Sequence, residues 1–394
     1  MLNRLRVTTA GESHGPSLLA IIEGVPAGLA LSREDIDRDL TRRQLGYGRG
    51  GRMKIEKDRA AVLSGVRLGR TIGSPVALLI ENRDHENWRE LMDAEARDDD
   101  VDHTSETRPR PGHGDLAGML KIGTDDVRDV LERASARETA ARVAAGAVAR
   151  RLLEELGITV RSRVTAIGGV EASPDSNPTE VAFVRADDDP VRCTDTEAST
   201  LMVEEIDRAA TEGDSLGGLF EVAAFGTVPG LGSYSQLDRR LDARLCGALA
   251  SIPGVKGVEI GAGFSLGSVR GSAAHDEVFF GLERGLYRET NRAGGLEAGM
   301  ANGETVLLRA VMKPIPTLAK PLATVDLATL EPATAFKERA DVCAVPAAGV
   351  VGEAMVAIVL ADAALEKFGG DSMVELKRNI DGYLQQISKY WKHN

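Results

Sequence analysis

Two stretches of this 394-residue chain carry alanine and valine around the whole circumference of a helix, and nothing constrains its fold more. Residues 124–157, "TDDVRDVLERASARETAARVAAGAVARRLLEELG", give the longest helical signal, and their centre has almost no polar face. Residues 347–368 repeat the pattern and end at Gly369-Gly370, as the first stretch ends at Gly157. A helix that is apolar all round has to be packed on most of its sides. Both stretches are therefore expected inside the protein, with Arg133, Ser135 and Arg137 near the interrupted start of the first. The run from Val342 to Ala361 has the length of a membrane span, with Glu353 its one charge. Pro346, two glycines and the prevalence of small residues favour a buried core helix instead.

Shorter units surround these helices. "SLLAIIEGVPAG" and "AVLSGVRLGRTIGSPVALLIEN" read as strands, β-branched and punctuated by glycine and proline. Between them, "SREDIDRDLTRRQLG" opens with Ser32 and an acidic turn, as a helix does. "LFEVAAFGTVPGLG" and "GVKGVEIGAGFSLG" add two strand-and-glycine units, while residues 172–200, with Asp187 to Asp189 in a row, read as an exposed excursion. The alternation lacks βαβ regularity, so α+β fits better than a doubly wound parallel sheet. Neither a repeat nor a linker is visible, and a single domain over residues 1–394 is expected.

The formal net charge of −12 argues against nucleic acid and anionic membranes as partners. Cys193, Cys246 and Cys343 are too few and too scattered for a disulfide framework or a metal site. No apolar signal region follows Arg4 and Arg6, so a cytoplasmic location is expected.

Against that acidic background, cationic and titratable residues gather in five places. "GESHG", residues 11–15, matches the nucleophile elbow with Ser13 at its centre, but "PSLLAIIEG" after it is too short and β-like for the helix an elbow needs. "TRRQLGYGRGGRMK", residues 41–54, holds Arg42, Arg43, Arg49, Arg52 and Lys54 with no acid, and four glycines free it to close around a ligand. Arginine's planar fork suits phosphate and carboxylate. "TRPRPGHGDLAG" sets Arg108, Arg110, His113 and Asp115 on a stiff loop, and "LERASARE" offers Arg133, Ser135 and Arg137 beside helical amides. "KPIPT" and "ERADVCAVPAAG" add Lys313, Arg339 and Asp341. A serine hydrolase at Ser13 and a non-catalytic anion-binding module are the rival readings of these places.

Taken together, the sequence resembles the chorismate synthase family. The likeness runs from "TAGESHGPSL" to "ALEKFGGDS", through "RRQLGYGRGGRMKIE", "RPRPGHGD", "ERASARETAARVAAG", "MKPIPT" and "RADVCAVPAAG". One departure stands out: the family usually has Arg-Ser-Asp where this chain has Arg339-Ala340-Asp341, which keeps the acid and removes a hydroxyl.

The resemblance implies a β-α-β sandwich with central helices between antiparallel sheets, usually a homotetramer. It also implies conversion of 5-enolpyruvylshikimate-3-phosphate to chorismate and phosphate by anti 1,4-elimination, with reduced FMN required and no net redox. By position, Arg43, Arg49, Arg110, Ser135, Arg137 and Arg339 become substrate contacts. Flavin contacts fall on Arg133, Ala134, Ser135, Pro253, Gly254, Ala298, Lys313, Pro314, Ile315, Pro316, Thr317 and Arg339. His14, among phosphate-binding arginines, matches the acid for the leaving phosphate, His113 the histidine at the flavin's N1 side, and Asp341 the carboxylate near N5. Some relatives reduce their own flavin, with nucleotide (NADP) contacts proposed at positions matching Arg43 and Arg49. No G-x-G-x-x-G follows a strand here, so NADPH is expected to act only indirectly, through a separate flavin reductase.

Overall fold

The computed structural model describes residues 2–51, 57–95, 105–174, 179–338 and 340–392. Two antiparallel sheets sandwich two helices. The first sheet runs in the order Arg6–Ala10, Ser17–Glu23, Val76–Glu81, Ala60–Ser64. The second runs Val255–Ile260, Val306–Met312, Gly218–Phe225, Thr159–Ile167, Val170–Glu171. In the first sheet Leu18, Ala20, Ile22, Val76, Leu78 and Ile80 are buried, while Ile21 lies on the exposed face. That alternation is what a sheet with one covered face requires.

The covering element is the helix Thr139–Glu154, which packs on the second helix, Val345–Phe368, and this in turn lies on the second sheet. The two helices approach at Gly146, where a Cβ would stand 2.3 Å from the Cβ of Ala354. Arg33–Gln44 packs against both central helices. It begins as expected, with Ser32 accepting from the Asp35 N–H and Asp35 closing the capping box.

The first apolar stretch is broken. Arg128–Ala134 is a separate helix, Ser135 adopts extended backbone, and a 3₁₀ turn, Ala136–Glu138, leads into Thr139–Glu154. The longest helix among the described residues is therefore the second, at 24 residues. Its most apolar 18-residue window is 94% buried, so the span-like run is core. Its buried acids have work inside. Glu353 accepts from Arg42 and Ser162 at 2.7 Å and from Arg150 at 2.9 Å, and Asp362 accepts the N–H groups of Asn3, Arg4 and Leu5.

The polar segment 172–200 is not simply exposed. Phe183, Ala186, Val191 and Cys193 are buried, and Asp187 pairs with Arg42 and Arg192. Asp189 accepts the N–H groups of Val191 and Cys193 and the Ser199 hydroxyl. Its acids fasten it to the body, which composition alone does not reveal.

Candidate active site

GESHG joins Arg6–Ala10 to Ser17–Glu23, two antiparallel neighbours. A nucleophile elbow needs a helix after its turn, so strand–loop–strand leaves no place for one. Gly11 has φ +102°, and a Cβ there would stand 2.3 Å from the Ser17 carbonyl oxygen, so the loop closes only on glycine. Ser13 is buried, its N–H donating to the Glu132 carbonyl at 2.9 Å. His14 beside it donates its backbone N–H to Glu132 Oε2 at 2.8 Å, and its ring Nδ1 lies 2.9 Å from Oε1. Trp88 stacks on the imidazole with ring centroids 4.0 Å apart, and His85 Nδ1 lies 2.9 Å from the His14 carbonyl oxygen. Within this setting the imidazole is held by an acid, Glu132.

The arginines gather next to this loop. Arg137 places NH1 at 2.6 and 2.7 Å from the two oxygens of Asp58 and donates from Nε to Asn82 Oδ1 at 2.9 Å. Asn82 in turn donates to the carbonyls of Glu12 and Gly15, fixing the GESHG loop. Arg43, in the last turn of Arg33–Gln44, donates to Thr139 Oγ1 at 2.9 Å and to the Ala136 carbonyl, with Asp58 at 3.5 Å. Burial, opposed by Asp58 and reinforced by Arg137 and Arg49, pulls the Arg43 guanidinium down to about 10. Arg49 pairs with Asp341 at 2.7 Å, and the other oxygen of Asp341 accepts the Gly50 N–H. Among the described residues, three arginines therefore meet at two carboxylates in a place largely closed to water. Guanidiniums gathered away from solvent favour an incoming anion.

His113 stands at the other end of the site. Arg110 donates from its backbone and from Nε to Asp115, the first residue of the helix Asp115–Ile122, and from NH1 to Thr317 at 3.1 Å. His113 Nδ1 also meets Asp115. Burial works against ionisation of Asp115, but His113 and Arg110 outweigh it and hold the carboxyl at about 2. Lys313 donates its ammonium to the Gly112 carbonyl and its backbone N–H to the Gly254 carbonyl. Burial, aided by Lys256, lowers that ammonium. Ala134 lies against Gly114, Pro316 against Gly112, and the Ile315 carbonyl accepts from Ser215.

One chain of contacts joins the two ends. Arg128 stands 3.5 Å from Glu132 and 3.8 Å from Glu338, with its guanidinium 4.9 Å over the Trp88 ring. Glu338 reaches Arg110 at 3.3 Å. The path from His14 to His113 thus runs through Glu132, Arg128, Glu338 and Arg110. Arg133 sits beside it, donating to the carbonyls of Thr9 and Gly11, and Ser135 accepts the Arg137 N–H. Pro253-Gly254 joins through Lys313. Ala298 is not brought into this set: its hairpin, Leu296–Glu297 with Met300–Ala301, contacts Ser233 and Leu241. Arg339, Arg52 and Lys54 lie outside the described residues.

This donor set fits a flavin mononucleotide and a polyanion together. Lys313, Thr317 and His113 offer a cation, a hydroxyl and an imidazole at one edge, and the arginine cluster offers buried guanidiniums at the other. The residues that sequence reasoning missed are Glu132, Asp58, Asn82, Trp88, Arg128 and Glu338. Glu132 and Glu338 stand inside segments already singled out, "LERASARE" and "ERADVCAVPAAG", whereas Asp58 and Asn82 meet Arg137 across 79 and 55 positions and Arg128 meets Glu338 across the fold.

Comparison with known proteins bears on the family and the fold. The sequence model of the chorismate synthase family matches residues 5–365. Chorismate synthase of Desulforudis audaxviator is 60% identical over 383 residues, 97% of this chain and 98% of the relative. That of Syntrophotalea carbinolica is 55% identical over 389 residues, 99% and 100% of the two chains. A crystal structure of chorismate synthase, 42% identical, superposes with a TM-score of 0.81 over 99% of this chain and 100% of the other. The chain belongs to the chorismate synthase family, carbon–oxygen lyases acting on phosphates at the last step of the shikimate pathway.

Proposed function

We propose that this chain converts 5-enolpyruvylshikimate-3-phosphate to chorismate and phosphate by anti 1,4-elimination, in the presence of reduced FMN that is required but not consumed. The observation that carries the reading is the sharing of Asp58 and Asp341 by Arg43, Arg49 and Arg137, next to an imidazole held by a carboxylate. A substrate with one phosphate and two carboxylates is matched in charge and geometry to converging guanidiniums. Each charge-assisted hydrogen bond contributes about 1.5–3 kcal/mol, so several hold a polyanion against the acidic whole.

When bound, reduced FMN supplies the electron density that lets an allylic phosphate leave although no carbonyl acidifies the departing hydrogen. The chain's residues do the rest. Arg43, Arg49, Arg110, Arg137 and Arg339 bind and orient the substrate's anionic groups, with Ser135 at the same edge. His14 gives a proton to the leaving phosphate. Its Nδ1 is engaged by Glu132, so the transfer falls to Nε2. His113 offsets charge at the N1 edge of the flavin, and Asp341 stands as the carboxylate near N5. Arg133 to Ser135, Pro253-Gly254, Lys313 to Thr317 and Arg339 hold the cofactor. NADPH enters indirectly through a separate reductase, and nucleotide contacts at Arg43 and Arg49 would share the anion cluster. A homotetramer in the cytoplasm completes the reading, and the exposed apolar residues Phe264, Val278, Phe280 and Leu282 support self-association.

The test is an anaerobic incubation of the purified protein with chemically reduced FMN and substrate, following phosphate and chorismate together. Equal release of both, with the flavin still reduced at the end, is expected. Flavin oxidised in proportion to product would overturn the elimination. Flavin binding without phosphate release would leave only a binding module.

A further inference from the structure

Glu132 makes four contacts with two consecutive residues of the GESHG loop, the weakest being His14 Nδ1 to Oε2 at 3.1 Å. Its carbonyl oxygen accepts the Ser13 N–H at 2.9 Å, Oε2 accepts the His14 N–H at 2.8 Å, and Oε1 meets the His14 ring at Nδ1, 2.9 Å away. Its side chain is only 4% exposed. Arg128 stands 3.5 Å from Oε1 and also covers the Trp88 ring that stacks on His14. An ionised carboxylate accepts and cannot donate, so a neutral imidazole beside it keeps its hydrogen on Nδ1. His113 differs, because its Nδ1 meets both Asp115 and, at 3.2 Å, the Arg110 guanidinium, which can only donate.

We propose that Glu132 is the positioning residue of His14: it fixes the Nδ1–H tautomer and the ring plane, so that Nε2 alone exchanges a proton with substrate. The inference rests on the role of His14 proposed above. In the step it serves, the Nε2–H bond of the imidazolium breaks and the proton joins an oxygen of the leaving phosphate. The neutral ring that remains carries its hydrogen on Nδ1, still donated to Glu132. The wrong tautomer has no proton-accepting Nε2 with which to reset the site. In serine proteases, replacing the carboxylate behind the catalytic imidazole by an amide lowers kcat about 10⁴-fold for this reason.

The test uses the whole chain labelled with ¹⁵N-histidine, His14 being assigned by the signals lost in His14→Asn. In the wild type the neutral ring is expected as the Nδ1–H form, and in Glu132→Gln as the Nε2–H form. In Glu132→Gln one amide oxygen takes the backbone N–H, leaving the NH₂ to face Nδ1. With reduced flavin and substrate, kcat of Glu132→Gln should fall about 10²-fold or more, within the range of losing a general acid, while KM stays within about threefold. Glu132→Asp, which keeps the charge, should retain the wild-type tautomer and recover part of kcat. An Nε2–H ring in the wild type overturns the proposal without any variant, even if Glu132→Gln fails to fold. A tautomer unchanged in folded Glu132→Gln, or a kcat there equal to wild type, overturns it as well. A wild-type rate in His14→Asn would instead overturn the role of His14 on which it rests.

Discussion

At Asp58 two buried guanidiniums meet one carboxylate, with NH1 of Arg137 against both its oxygens and Arg43 at 3.5 Å. The asymmetry decides what its loss does. Removing one partner of a buried ion pair costs about 3–5 kcal/mol, because the remaining charge stays desolvated. Asp58→Asn leaves two cations where one acid stood, and its urea midpoint should drop accordingly. An anion that occupies the cluster binds only the folded chain and returns stability in proportion to its affinity. Inorganic phosphate should therefore raise the midpoint of Asp58→Asn more than that of the wild type. If both proteins respond equally to phosphate, the arginines do not form an anion site. Asp341 serves its loop in the same way, binding Arg49 and the Gly50 N–H beside an Ala340 that replaces the family's usual serine.

At the scale of elements, Glu353 shows why one charge belongs in an apolar helix. Three arginines from different parts of the fold, Arg42, Arg150 and Arg192, converge on it with Ser162. Burial alone would raise its carboxyl, but Arg42, Arg192 and Arg150 outweigh burial and hold it at about 2. An unfolded glutamate titrates at about 4.3. The stability this difference contributes is complete above that value and is lost as pH falls toward 2. Asp39 in the same network is pushed up chiefly by its own burial and acts in the opposite sense, so the difference between proteins is the reading. The urea midpoint of wild type minus that of Glu353→Gln should shrink between pH 5 and about 2; a constant difference would show that the carboxylate is not the group responsible. The same pairing explains what the sequence hid. The strand Thr159–Ile167 carries Arg161, Ser162 and Arg163, which disguise its period, because Arg163 is buried on Glu221. Val306–Met312 likewise pairs Arg309 with Glu221. Arg33–Gln44 was legible because its signals are local, a capping serine and an acidic first turn. The GESHG hairpin was legible through its β-like second arm. The partner of His14 was not, since Glu132 lies 118 positions away.

Across the whole molecule, the site is assembled from both halves of the sandwich. His14, Asn82 and Asp58 come with the first sheet, Lys313 and Gly254 with the second, and Arg137 and Asp341 stand just before the two central helices. The spacing of those helices therefore sets the spacing of the site, and Gly146 sets it most directly. A Cβ there would lie 2.3 Å from the Cβ and 2.5 Å from the Cα of Ala354, which no rotamer change relieves. Helix propensity favours alanine over glycine by about 1 kcal/mol, whereas overpacking a core costs about 1–3 kcal/mol. Gly146→Ala should lower the urea midpoint only if the clash wins. The matched substitution is Gly247→Ala in the helix Leu241–Ala250, where an added Cβ meets nothing within 4 Å. It should leave the midpoint unchanged or raise it. Displacing reacting groups by about 1 Å can cost about 10²-fold in rate. Gly146→Ala should thus also lower kcat/KM for the phosphorylated substrate, through the altered distance between the Arg137–Asp58 and Arg49–Asp341 pairs. Gly247→Ala should not. If the two variants matched in both midpoint and kcat/KM, the helix contact would not be what holds the halves of the site in register.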